Sequence, residues 1–220
     1  MSTPEHPEIP YPFPPIRPTP TRRSPSTVPF VDVPGGCAEL GLLDQRKVLL
    51  AGPLDADAAN RLSAQLMTLD GVSSRTVELF INSSGGGIAE ALAPLDVIGL
   101  MRAPVGTTCM GTARGTAAAL LACGTGERRC TPNATVSLRC SHPEAIEETA
   151  VVVQREAEHL AATRARLREL LARATGQSTT VIDDHLDHGG ILDPAQARQL
   201  GIVDLIAQTQ DIDKPESPGR

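Results

Sequence analysis

Residues 111–121 read GTARGTAAALL, a glycine-rich start, a run of small side chains and then two leucines. That order suits a helix set deep in a core. The glycines permit a tight turn, alanine has the highest helix propensity, and the leucines supply apolar surface. What the stretch lacks is a nucleophile or base at the helix start.

Working outward, short apolar runs alternate with helical patterns. RKVLLAG (46–52) and VELFINSS (77–84) have strand length and end in Gly or Ser turns. Between them DADAANRLSAQLMTLDG (55–71) spaces its apolar residues near the helical period. After SSGGG come a second helix, IAEALAPLDVIGLMR (88–102), a strand, VGTTC (105–109), and GTARGTAAALLACG (111–124) as a third helix. ERRC and TPNATVSLRC (127–140) read as a strand pair around a Pro-Asn turn. Strand and helix in alternation imply an α/β fold with a largely parallel sheet. From Glu147 to Ala174 there is neither Gly nor Pro. Leu160, Leu167, Leu170 and Leu171 recur near the helical period, so a long helix projecting from the core is expected, with Gly176 as its left-handed stop. Its Leu160, Leu167 and Leu171 stripe calls for a partner surface.

Residues 1–34 carry most of the prolines and read as a disordered tail, either a plain leader or a Pro-rich ligand for a partner. Residues 209–220 read likewise, which leaves 35–208 as the folded domain. With aromatics at 2% and no Trp, the core must be aliphatic. A formal net charge of −6 offers no basic field for a phosphate backbone, so nucleic acid is excluded as a partner. The five cysteines make no CxxC pair, against a disulfide framework or zinc site. No run approaches the ~20 apolar residues of a membrane span, and no secretory signal opens the chain. A reducing cytoplasm is the expected compartment, with no cofactor and no membrane partner.

The motifs INSSGGG (81–87), CMGTARGTAAALLACG (109–124), PNATVSL (132–138), LLARATGQ (170–177) and ILDPAQARQLGIVD (191–204), in this order and spacing, resemble the proteolytic subunit of the Clp protease. The resemblance runs from Leu42 to Ile206. It implies a crotonase-like α/β fold of repeated β-β-α units with a projecting long helix, assembled as stacked heptameric rings around a proteolytic chamber. It also implies a Ser-His-Asp triad, and each position can be tested. Counting from Cys109 puts the nucleophile at Gly115, the spacing from Asn133 puts the histidine at Arg139, and the match through LDPAQA puts the aspartate at Gly189. Glycine has no hydroxyl or carboxylate, and an arginine that stays protonated cannot serve as base. Loss of one triad member already costs orders of magnitude.

The same resemblance matches Gly85, where the Gly-rich turn begins, and the Thr116 amide to the family's oxyanion hole. Ser84 stands where that turn usually has Pro. These glycines serve either the hole or close backbone approach. Substitute groups are Thr116, Cys109, Cys140, His142, His185 and His188. Cys109 reads as a small packing residue, and a local gap would let His142 replace Arg139. The DDHLDH cluster (183–188) is either a metal site or a mixed-charge face. Arg139 is expected to fill the emptied cleft, paired with a carboxylate such as Asp187, or else to point to solvent.

Two departures bear on partners. SHPEAIEE (141–148) replaces the family's Gly-rich segment after the histidine. Glu78 takes one of two aromatic positions in the unfoldase pocket while Phe80 keeps the other, which weakens docking of an AAA+ unfoldase. The resulting expectation is a non-catalytic subunit in a homo- or hetero-oligomer with a Clp protease paralogue. The alternatives are an active peptidase with a rebuilt site and a crotonase-fold enzyme acting on an acyl thioester, for which no acidic base is evident.

Overall fold

The computed structural model describes residues 41–140 and 150–207. Both tails, His142 and the SHPEAIEE segment lie outside the described residues. The element order is β1 (Lys47–Pro53), α1 (Ala56–Val72), β2 (Val77–Gly85), α2 (Ile88–Leu100), β3 (Val105–Arg114), α3 (Thr116–Ala122), β4 (Arg128–Cys130), β5 (Thr135–Ser137), α4 (Ala150–Thr175), α5 (Thr179–Asp187), α6 (Pro194–Gln199) and β6 (Leu205–Ile206).

The sheet runs β1-β2-β3-β4-β6, with β5 pairing to β3 beyond β4. All of these pairs are parallel, as strand-helix alternation demands. In β2, Val77, Leu79 and Ile81 are fully buried while Glu78 and Phe80 are half-buried and Asn82 is exposed. One face of the sheet is therefore packed and the other is more open. The core is aliphatic, as the scarcity of aromatics requires: Leu54, Leu66, Leu79, Ile81, Ile98, Leu120, Leu121 and Leu138 are among its fully buried side chains. Each such leucine contributes about 1.5–3 kcal/mol relative to an exposed one.

Helix ends are closed by identifiable groups. The Asp55 carboxylate accepts the Ala58 amide at the start of α1. At its other end the buried Arg46 guanidinium donates to the carbonyls of Leu69, Ser73, Arg75 and Thr76 at 2.7–3.2 Å, so one side chain ties the end of α1 to the loop that leads into β2. Gly176 takes φ +72° after α4 and donates to Ala172 O, the left-handed stop expected from its residue type.

Three expectations are corrected. GTAR does not open a helix: β3 extends through Arg114 and α3 begins only at Thr116. The reason is pairing, since Ala113 registers with Ser83 on one side and Val136 on the other, and sheet hydrogen bonds on both edges outweigh local propensity. The segments around Pro132 do not pair with each other, because β4 and β5 both add to β3 in succession. The leucine stripe of α4 is not left for a partner either. Leu167 and Leu171 are fully buried within this chain and only Leu160 is 37% exposed. No helix among the described residues is long and apolar enough to cross a membrane.

Candidate functional site

Strand β3 ends in a sharp turn at Gly115, with φ +53° and ψ −118°, and α3 starts on the next residue. Gly115 donates its amide to Ser137 O at 2.7 Å and accepts from Ala119 N at 3.2 Å. The turn is thus tied to β5 and to its own helix. A left-handed φ is costly for any residue with a Cβ, and the space is tight but not closed: a Cβ at Gly115 would sit 3.3 Å from Arg139 O, which would have to give slightly, and 3.8 Å from Cys140 Sγ. The strand-to-helix elbow that would present a nucleophile is present, and its side chain is not.

Gly85 and Thr116 lie side by side. Gly85 has φ +77°, and a Cβ there would collide with the Arg114 carbonyl oxygen and lie 3.2 Å from Thr116 N. Gly86 is equally confined, its Cβ direction blocked by the Leu54 carbonyl. Close backbone approach therefore requires these glycines. Their amides are occupied too: Gly85 N–H donates to Ser83 Oγ at 3.1 Å, and Gly86 N–H to Thr116 Oγ1 at 2.9 Å. The Thr116 hydroxyl in turn donates to Gly86 O at 3.2 Å. Thr116 is fully buried, and its side chain straps the Gly-rich turn to the first turn of α3. Sequence reasoning considered this residue's amide and its nucleophilic potential. The signal for its real bonds was a β-branched hydroxyl in an otherwise all-Ala and Leu helix.

Arg139 lies just past β5. Val136 and Leu138 are buried in the core, while Arg139 is exposed and has no ion-pair partner among the described residues. The expected pair with Asp187 does not form. Asp187 instead accepts from Arg164 of α4 at 2.6 Å, which leaves the Arg139 guanidinium at the surface. Cys140 is buried, its thiol 3.6 Å from Leu138 O, and burial raises its pKa, with Arg164 opposing. A protonated buried thiol is a poor nucleophile.

Gly189 follows α5 and donates to His185 O. Here no side chain fits: a Cβ would overlap the His185 carbonyl oxygen and lie 2.9 Å from the carbonyl carbon. The DDHLDH cluster is the α5 helix itself. Asp183 pairs with Arg168 at 3.1 Å, Asp187 with Arg164, and His188 with Asp184 at 3.5 Å. No group of three or more His, Cys, Asp or Glu side chains that could hold a metal exists among the described residues. The metal alternative therefore has no support, and the mixed-charge face is a helix clamped to α4. Arginines four apart on α4 facing aspartates four apart on α5 were the legible signal. Cys109 is a packing residue, fully buried beside Cys130 on the neighbouring strand; its thiol pKa is raised by the hydrogen bond with Cys130 and by burial.

Comparison with known proteins gives a consistent set of matches. A family model described as Clp protease matches residues 38–210. The chain is 39% identical over 168 residues to a putative ATP-dependent Clp protease proteolytic subunit-like protein of Streptomyces coelicolor, covering 75% of this chain and 80% of that one. It is 33% identical to ATP-dependent Clp protease proteolytic subunit 2 of Corynebacterium jeikeium, with the same two shares. To ATP-dependent Clp protease proteolytic subunit 1 of Thermobifida fusca it is 33% identical, covering 74% of each chain.

Proposed function

Since this chain belongs to the Clp protease family, with that family's crotonase-like α/β fold, we propose that it is a non-catalytic subunit of a ring-shaped proteolytic complex. The observation that carries this reading is the elbow at Gly115, which keeps the backbone of a nucleophile turn with no side chain on it. The remaining positions agree. Arg139 points to solvent, and Gly189 is too confined for a carboxylate. A nucleophile, a base and an orienting acid act as a unit, and none of the three is present at these positions.

Assembly is the role left to the fold. Members of the family form oligomeric rings and pair with paralogues. Met67 and Val72 on α1 and Leu100 at the end of α2 are 62%, 78% and 83% exposed. The Asp70 carboxylate, accepting from the Arg102 and Ala103 amides, ties those two helix ends together. This apolar surface, rather than the leucine stripe of α4, is the face that a neighbouring subunit would cover. On the open sheet face Glu78 lies 3.6 Å from Arg129, a charged pair where an unfoldase would need an apolar pocket, so the proposal gives this chain a weakened role in unfoldase docking. Residues 35–208 form the assembling domain, with 1–34 and 209–220 as dispensable tails.

The test is co-expression with an active Clp protease paralogue from the same genome, followed by native mass spectrometry. Mixed rings containing this chain are expected, with peptidase activity per ring falling in proportion to its share. A chain that stays monomeric at micromolar concentration, alone and with each paralogue, would overturn the proposal.

A further inference from the structure

The elbow carries two arginines that the rest of the fold leaves unpaired. Arg114 is the last residue of β3, immediately before Gly115, and Arg139 lies just past β5. A Cβ on Gly115 would sit 3.3 Å from the Arg139 carbonyl oxygen, so the two arginines flank the same turn. Arg114 registers with Ser137, and neighbouring strands run about 4.8 Å apart with paired residues facing one side. Ala113, Val136 and Leu138 are buried in the core, whereas Arg114 and Arg139 are both exposed. Alternation along each strand therefore puts both guanidinium groups on the open side of the sheet. Neither side chain makes a hydrogen bond or ion pair among the described residues. The acidic groups of α5, whose Leu186 carbonyl holds the Cys140 amide, are engaged elsewhere: Asp183 with Arg168, Asp184 with His188 and Asp187 with Arg164.

Two unpaired cations at one turn repel each other and gain from an anion placed between them. Arginine presents its donors in a planar fork that matches both oxygens of a carboxylate, and two such forks can hold one carboxylate from two sides. The chain as a whole is acidic, with a formal net charge of −6, so this local positive spot is not part of a general basic surface. We propose that Arg114 and Arg139 form a carboxylate-binding site at the elbow, and that its ligand is the C-terminal carboxylate of a short peptide. The choice of a peptide rests on the reading of the chain as a non-catalytic subunit of a ring-shaped proteolytic complex. Each hydrolysis by an active subunit consumes one water and breaks one peptide bond, yielding one new α-carboxylate and one new amine. Carboxylate-ended peptides are thus the anions that collect beside such a subunit. A subunit that cannot cleave would hold the products of those that can.

The experiment uses the full purified chain and an acetylated tetra-alanine peptide with a free C-terminus, titrated by NMR with the arginine Nε–H signals as readout. Arg114→Gln and Arg139→Gln assign those signals, since each variant loses its own. Selective shifts at Arg114 and Arg139 are expected, and the same peptide ended as an amide, without the charge, should bind at least about tenfold more weakly. Each variant, an exposed substitution that should leave the melting temperature unchanged, should weaken binding of the free-acid peptide at least about tenfold, and added salt should weaken it further. Equal affinity for acid and amide overturns the proposal. So does binding that survives in the double variant, or the absence of any shift at millimolar peptide. An amide-ended peptide with an internal glutamate that binds as tightly as the free acid overturns the choice of the C-terminal carboxylate. Inorganic phosphate binding more tightly than the peptide overturns the choice of a carboxylate. Peptide turnover by the unaltered chain would instead overturn the non-catalytic reading, and the comparison of acid with amide stands or falls without it.

Discussion

Positions 115 and 189 are both glycine, and their surroundings are not alike. At Gly115 the chain turns sharply with φ +53°, and a Cβ would meet one tight contact, Arg139 O at 3.3 Å. At Gly189 the C-terminal turn of α5 has closed over the position, and the His185 carbonyl occupies the volume that a Cβ would need. The difference follows from what each backbone does. The Gly115 amide and carbonyl bond to Ser137 O and Ala119 N, joining β3, β5 and α3, so the turn is required by the fold whether or not a nucleophile rides on it. Gly189 terminates a helix clamped by Arg164 and Arg168, and no other strand or helix start depends on its amide, which bonds only within that helix end.

The strongest way to break this comparison is to place a side chain at each position. Gly189→Ala should destabilise by about 3 kcal/mol in urea unfolding, because the Cβ must displace helix backbone, and Gly189→Asp should cost at least as much. Gly115→Ser has its left-handed φ and one tight contact with Arg139 O against it, together costing about 1–2 kcal/mol. Equal losses at the two positions, or a larger one at 115, would dissolve the distinction. Gly115→Ser should also stay inactive toward peptides, since Arg139 is exposed and cannot act as a base toward the serine proton.

The ion-pair clamp sharpens the comparison further. A double-mutant cycle of Arg164→Ala and Asp187→Ala should give a coupling energy of about 0.5–1 kcal/mol, modest because both side chains remain partly solvated, 24% and 41% exposed. A coupling near zero would mean that α5 is held by Ile182 and Leu186 in the core alone. Smallest of all, Arg139→Ala should change stability by less than about 0.5 kcal/mol, as expected of an exposed residue without a partner. A loss above 1 kcal/mol in thermal or urea unfolding would restore a structural role for that guanidinium.

Much of this was legible in the sequence. The alternation of β1, α1, β2, α2 and β3 could be read from periodicity alone, and the left-handed stop at Gly176 from residue type. The shared motifs picked out Gly115, Arg139 and Gly189 as the positions to inspect. What sequence could not supply was whatever depends on tertiary neighbours. GTAR has helix-tolerant residues, and only pairing with β2 and β5 on its two sides makes it strand. Leu167 and Leu171 form a stripe that a helix alone leaves bare, and the same chain covers it. The Asp187 carboxylate stood two residues from Gly189 and looked available to Arg139, but the competing Arg164 is 23 residues away in sequence and adjacent only in space. The two-way bond of Thr116 with Gly86 was invisible for the same reason.

The account stands or falls on catalysis. Turnover of a fluorogenic peptide by the purified full chain, measured beside an active Clp protease paralogue prepared the same way, tests it most directly. No turnover above that of heat-denatured protein is predicted, across neutral pH and at enzyme concentrations sufficient to see a ten-thousandth of the paralogue's rate, about the residual that survives loss of a triad member. Turnover that co-migrates with the chain through purification and disappears in Cys140→Ala, or in any other single change within the cleft around Gly115, would contradict it.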